Sequence, residues 1–325
     1  MSDSDKRTDS RRRGILLVGH GTRDQTGTDQ FFQLGRAMDK LTDHWVQPCL
    51  LEFQSPTIDQ GWRLLMDKGV DHVHVAPLLL FAAGHAKSDI PDEVQKAATG
   101  TPITWDQCRP LSRSPEIVEL VCKRIEQVAA ARSLVPDQTA VLMVGRGSHD
   151  PCARSDMRVL TEVVRRRRPA FAFETAFYAM TTPKVPETLD AIAESGRYKT
   201  ILVQPHLLFQ GRLYDAIDQQ CRQADERHAN VRVLCGDYLG PCDAVAAAVL
   251  RRINQTGFLR SNSSNPSTVH RPTVSGVNPV VRPTAGPCDL PVRVKPTTAT
   301  LSPRRTHPPV LDPVANPKKF AVHRR

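Results

Sequence analysis

The chain repeats itself. Gly14–Asp24 reads GILLVGHGTRD, and Ala140–Asp150, 126 residues later, reads AVLMVGRGSHD. APLLLFAAGH at 76–85 is answered by QPHLLFQGR at 204–212, with Pro77 against Pro205. LEFQSP at 51–56 is answered by AMTTP at 179–183, with Pro56 against Pro183. Three landmarks in one order and at nearly one offset imply two copies of a single folding unit, so the architecture has to be built twice.

Within each copy, short apolar runs alternate with amphipathic stretches. Strands are predicted near 14–19, 46–53, 71–76 and 101–105, and again near 140–144, 171–178, 199–204 and 231–234. ILLVG, AVLMVG and TILVQP are nearly continuous apolar runs, as suits parallel strands covered on both faces. DQFFQLGRAMDKL and SPEIVELVCKRIEQVAAA place apolar residues at helical spacing. Strand and helix in alternation predict an α/β fold of two tandem duplicated domains, each a parallel sheet flanked by helices. The expected divisions are 1–13 as a disordered N-terminus, 14–133 and 134–255 as the two copies, and 256–325 as a disordered tail rich in Pro, Ser, Thr and Arg.

The charge follows these divisions. The whole chain carries +10, yet the segment from Gln255 onward holds 11 Lys and Arg against two acids, Asp289 and Asp312, and so accounts for +9 of it. The folded body is close to neutral, which argues against a nucleic-acid-binding domain. RRRR at 165–168 precedes Pro169 and reads as a solvated helix end, where cations favour the helix dipole. No apolar run is long enough for a membrane span. The charged start lacks the apolar core of a leader peptide, so a cytoplasmic location is expected. The eight cysteines form no C-x-x-C pair, so neither a zinc knuckle nor an iron–sulfur cluster is expected.

Ligands of parallel sheets bind beyond the carboxyl ends of the strands. Those ends hold GHGTRD, EFQSP and FAAGH in the first copy. His20 lies between two glycines after the first strand, Glu52 at the end of the second, and His85 behind a glycine after the third. Two imidazoles and a carboxylate at neighbouring strand ends make an open site for a divalent metal. In the second copy Arg146 stands where His20 does, and Arg212 where His85 does if one residue is gapped. Arginine is a poor metal ligand but grips carboxylates with a two-pronged guanidinium. Structural ion pairing is the competing role for these two arginines. His149 and His206, without counterparts in the first copy, are weaker candidates. His72 and His74 alternate within a strand and read as packed or surface residues.

GILLVGHGTRD and VAPLLLFAAGHAKSDIP resemble the two signature segments of the sirohydrochlorin cobaltochelatase and ferrochelatase family. The resemblance spans roughly residues 14–250 and extends to the long form of the family, whose second half carries a segment like VGRGSHD. It implies insertion of Co2+, Fe2+ or Ni2+ into sirohydrochlorin or a related precorrin, without nucleotide hydrolysis, in siroheme or cobalamin formation. His20 and His85 match the family's active-site histidines, and Glu52 its nearby carboxylate. No permanently bound cofactor is expected, since the metal is a substrate, and the long form implies a monomer with a two-lobed cleft. Arg146 and Arg212 would then hold substrate carboxylates. Two other readings are open at this stage. One is a carrier that binds tetrapyrrole or metal without turnover. The other is a histidine phosphatase, which the absence of arginine directly before His20 disfavours.

Overall fold

The computed structural model describes residues 12–82 and 84–263, with the backbone alone for 257–263. The expected disorder of the ends falls almost wholly outside those residues. At both margins the ordered body runs past the expected divisions. Strand β1 begins at Arg13, and the last helix continues to Ser263.

The first copy runs β1 (Arg13–Gly19), α1 (Gln25–Asp39), β2 (Trp45–Leu50), α2 (Ile58–Asp67), β3 (His72–Pro77), α3 (Ile90–Ala98), β4 (Thr104–Gln107) and α4 (Pro115–Ala131). The second runs β5 (Thr139–Gly145), α5 (Pro151–Arg167), β6 (Ala172–Phe177), α6 (Val185–Glu194), β7 (Thr200–Pro205), α7 (Arg212–Arg227), β8 (Arg232–Cys235) and α8 (Asp243–Ser263). Each copy folds into a four-stranded parallel sheet, in the orders β2-β1-β3-β4 and β6-β5-β7-β8. Every expected strand is present, within a few residues of its expected place.

The apolar runs explain the layering. Along β1, Ile15 and Leu17 face one core while Leu16 and Val18 face another, and all four are fully buried. Side chains alternate across a strand, so burial on both faces needs an uninterrupted apolar run. Helices start where capping side chains allow. Asp24 accepts from the Gly27 N–H, Thr57 and Gln60 form a capping box, and Asp150 accepts from the Cys152 N–H. The RRRR segment closes α5 as expected. Arg165 and Arg166 pair with Glu162, and Arg168 with Glu126.

The two copies are not separable bodies. One core holds Ile15, Leu17 and Phe31 of the first copy together with Val141, Met143 and Phe177 of the second. Helix α8, which ends the second copy, packs on α1, β3 and β4 of the first, and α4 reaches β7 of the second. Each copy thus lends its last helix to the other. That exchange turns two repeats into one compact unit, with a cleft where the carboxyl ends of both sheets meet.

Candidate active site

The corresponding strands of the two copies end in the same backbone device. Gly21 and Gly147 both have φ +93. A Cβ at Gly21 would lie 2.1 Å from the Glu52 carbonyl oxygen, and one at Gly147 would lie 1.9 Å from that of Ala179. Only glycine combines that backbone conformation with so close an approach. The carbonyl of His20 accepts the Glu52 N–H, and the carbonyl of Arg146 accepts the Ala179 N–H. Ala179 therefore stands where Glu52 does. The second copy lacks the carboxylate as well as both histidines.

His20 and His85 come together as expected. Their ring centroids are 4.6 Å apart, edge to face, and both rings line one cleft. The Nδ1 of His20 lies 3.1 Å from the carbonyl oxygen of Gly21, and that of His85 lies 2.5 Å from a carboxylate oxygen of Asp89. Both partners only accept, so each Nδ1 carries the proton. Each Nε2 has no hydrogen-bond partner among the described residues, and in a neutral ring it offers a lone pair to a ligand. A carboxylate or carbonyl behind an imidazole sets its tautomer and strengthens it as a ligand. Asp89 was missed from the sequence, although it sits four residues beyond His85, one helical turn away.

Glu52 departs from the expected arrangement. Its backbone touches His20, but its side chain is exposed and lines an adjoining pocket with Asp89, Asp92 and Glu93. Just beyond Glu52 the chain bends, with Phe53 at φ 71. Glu52 and Asp89 thus line one acidic pocket, which also holds Lys96, paired with Glu93.

The cleft has a volume of about 730 Å³, within the range of small-molecule sites. Its walls are apolar strips from both copies, Leu78–Phe81 and Leu207–Phe209. Its rim carries Arg23, Arg146, Arg154 and Arg212 against one carboxylate, Asp24. Arg146 and Arg212 are exposed and make no ion pair with a described carboxylate, so the competing structural role finds no support. Arg23 lies 5.1 Å over the Phe53 ring, and Arg154 reaches toward Thr181. Neither was singled out from the sequence. A bridge between Lys87 and Asp150, 2.7 Å long, joins the copies beside the cleft. His149 is exposed and does not line it.

His206 does line it, at the position that Leu78 holds in the first copy, and is 2 % exposed. Neither ring nitrogen has a partner among the described residues. Burial alone pushes its pKa down to about 3. The folded state holds this imidazole neutral, whereas an unfolded chain titrates near ~6.5. Above that pH the group costs nothing in protonation. As pH falls below it, the unfolded chain takes up a proton that the folded site refuses, so stability drops by up to ~1.4 kcal/mol per pH unit until the folded site itself titrates. Between pH 7 and 5, the wild-type protein should lose ~2 kcal/mol more stability than H206L. Urea unfolding at the two pH values measures this, and equal losses would contradict it.

Comparison with known proteins places both copies. The CbiX family model matches residues 14–128 and again 140–256. A sirohydrochlorin cobaltochelatase of Priestia megaterium is 30% identical over 229 residues, covering 70% of this chain and 74% of that one. A sirohydrochlorin ferrochelatase of the same organism is 30% identical over 259 residues, covering 79% and 94%. Among solved structures, the sirohydrochlorin chelatase SirB from Bacillus subtilis subspecies spizizenii, in complex with cobalt, superposes with a TM-score of 0.65 at 28% identity, covering 77% of this chain and 97% of that one. SirB from Bacillus subtilis with Fe3+ gives a TM-score of 0.69 at 27% identity, covering 78% and 98%.

Proposed function

The chain belongs to the CbiX family, and from that premise we propose that it inserts a divalent metal ion, Co2+ or Fe2+, into sirohydrochlorin without nucleotide hydrolysis. The observation that carries the proposal is the pair of imidazoles in one cleft. They stand 4.6 Å apart and line a cleft walled by apolar side chains and lined also by arginines of both copies. No helix among the described residues is long and apolar enough to cross a membrane.

Insertion has three requirements. The ion must lose water, the macrocycle must lose its inner N–H protons, and the two must meet at the ring centre. The Nε2 lone pairs of His20 and His85 serve the first by replacing water with nitrogen ligands, which suit Co2+ and Fe2+. Once the ion passes to the ring, the same lone pairs are free to accept the displaced protons. Asp89 stabilises positive charge on His85 through the Nδ1 bond. Glu52, with Asp89, lines the acidic pocket and attracts the hydrated cation. The leucine and phenylalanine strips pack against the macrocycle faces, and the four rim arginines bind its peripheral carboxylates.

The test is anaerobic turnover. Purified protein mixed with sirohydrochlorin and Co2+, Fe2+ or Ni2+ in turn, without nucleotide, should convert the metal-free absorption spectrum to that of the metal complex faster than the uncatalysed control. Tetrapyrrole bound with no rate above that control would establish a carrier instead.

A further inference from the structure

A second group of metal-ligating side chains lies at the other end of the first sheet. His72 and His74 alternate along β3 and so share a face, and the strand register sets His72 beside Thr104 and His74 beside Asp106 on β4. One ligand atom from each of His72, His74 and Asp106 lies within 4.8 Å of the others. His72 Nε2 is 3.1 Å from one Asp106 carboxylate oxygen, and His74 Nδ1 is 2.9 Å from the other. The side chains of His74 and Asp106 are 5% and 7% exposed. About 16 Å of strand separates the group from the cleft.

The hydrogen bonds around His72 orient its ring. The Thr104 hydroxyl donates its only proton to the Asp71 carbonyl, 3.3 Å away. Its oxygen lies 2.8 Å from His72 Nδ1 and accepts from that nitrogen in the tautomer that carries the proton there. In that tautomer Nε2 turns its lone pair toward Asp106, so both atoms are placed to ligate one cation. In the other tautomer Nε2–H donates to the carboxylate, so the group is satisfied without an ion and is also spaced to hold one. An imidazole whose far N–H is anchored on an oxygen is also the usual arrangement behind a metal-bound histidine.

We propose that His72, His74 and Asp106 bind one divalent transition-metal ion, of the class Co2+, Ni2+, Fe2+ or Zn2+, at a site distinct from the cleft. Two imidazoles and one carboxylate are the donor set these ions favour over Mg2+ or Ca2+. The ion ties the edge strand β4 to β3 at the end of the sheet remote from insertion. It is held there as a resident, under α8, rather than passed on. The ring of His44, 6.0 Å from that of His74, borders the site.

The experiment uses the full chain carrying His20→Ala and His85→Ala, which leaves this group intact and does not depend on what the cleft does. After chelator treatment, Co2+ is titrated at neutral pH and followed by calorimetry and visible absorption. One ion per chain should bind, with nitrogen-coordinated cobalt bands. Adding Asp106→Asn should abolish that binding while far-ultraviolet circular dichroism stays unchanged. Should that variant fail to fold, the more exposed His72→Gln serves the same purpose. Thr104→Val, which removes only the anchoring acceptor, should weaken Co2+ binding about 10–100-fold. Absence of stoichiometric Co2+ binding to the His20→Ala/His85→Ala chain would overturn the proposal. Binding that survives loss of Asp106 or His72 would overturn it as well, by placing the ion elsewhere.

Discussion

Replacing His20 or His85 by alanine is expected to lower kcat by at least ~100-fold while sirohydrochlorin still binds. The two rings line the cleft and supply the Nε2 lone pairs of the proposed chemistry, and the second copy has no substitute, since Arg146 and Arg212 occupy the equivalent places. A positioned group that moves a proton in the rate-limiting step is commonly worth ~10²–10⁴-fold, and loss of a metal ligand adds to this. On the proposed reading the apolar strips and the arginines hold the macrocycle, and these changes do not touch them. Steady-state rates with saturating Co2+ check the kcat loss, and fluorescence titration checks binding. Asp89→Asn should give a smaller loss, because the His85 tautomer keeps an acceptor while the negative charge behind it is gone. If H20A or H85A raised KM with kcat unchanged, the imidazoles would be binding groups and not the site of chemistry.

The second large effect belongs to the other copy. Arg146→Ala or Arg212→Ala should raise KM for sirohydrochlorin with little change in kcat. A hydrogen bond between a guanidinium and a carboxylate is worth roughly 1.5–3 kcal/mol, which corresponds to about 10–150-fold in affinity. Both side chains are exposed, so solvent and salt screen the contact and the lower end, near tenfold, is the expected size. The gap between wild type and variant should narrow as ionic strength rises, because the wild-type contact is itself screened. Kinetics at two salt concentrations read both features. A fall in kcat at constant KM would mean that the second copy takes part in the chemistry.

Much of this was legible because it depends on local pattern. A strand buried on both faces must be an unbroken apolar run, and β1, β5 and β7 are such runs. Gly21 and Gly147 announced tight turns, and the repeat picked out His20, His85, Arg146 and Arg212 as corresponding positions. What stayed hidden depends on geometry between distant segments. The exchange of α4 and α8, which fuses two expected domains into one body, is decided by packing that no periodicity encodes. The spacing puts Glu52 at the end of its strand, but not the direction in which its carboxylate leaves, which spacing does not encode. Asp89 carries a usable signal, four residues beyond His85 and so one helical turn away. His72 and His74 read as ordinary strand residues because Asp106, which gathers them, lies 32 residues beyond His74 and meets it only through strand register.

The division of labour between the copies is tested most directly by one comparison on the His20→Ala/His85→Ala double variant. Sirohydrochlorin affinity and Co2+ insertion rate are measured on the same preparation under anaerobic conditions. The expected result is a dissociation constant close to that of the wild type together with insertion no faster than the uncatalysed reaction. Insertion at the wild-type rate by this double variant would contradict the assignment of the chemistry to the two imidazoles.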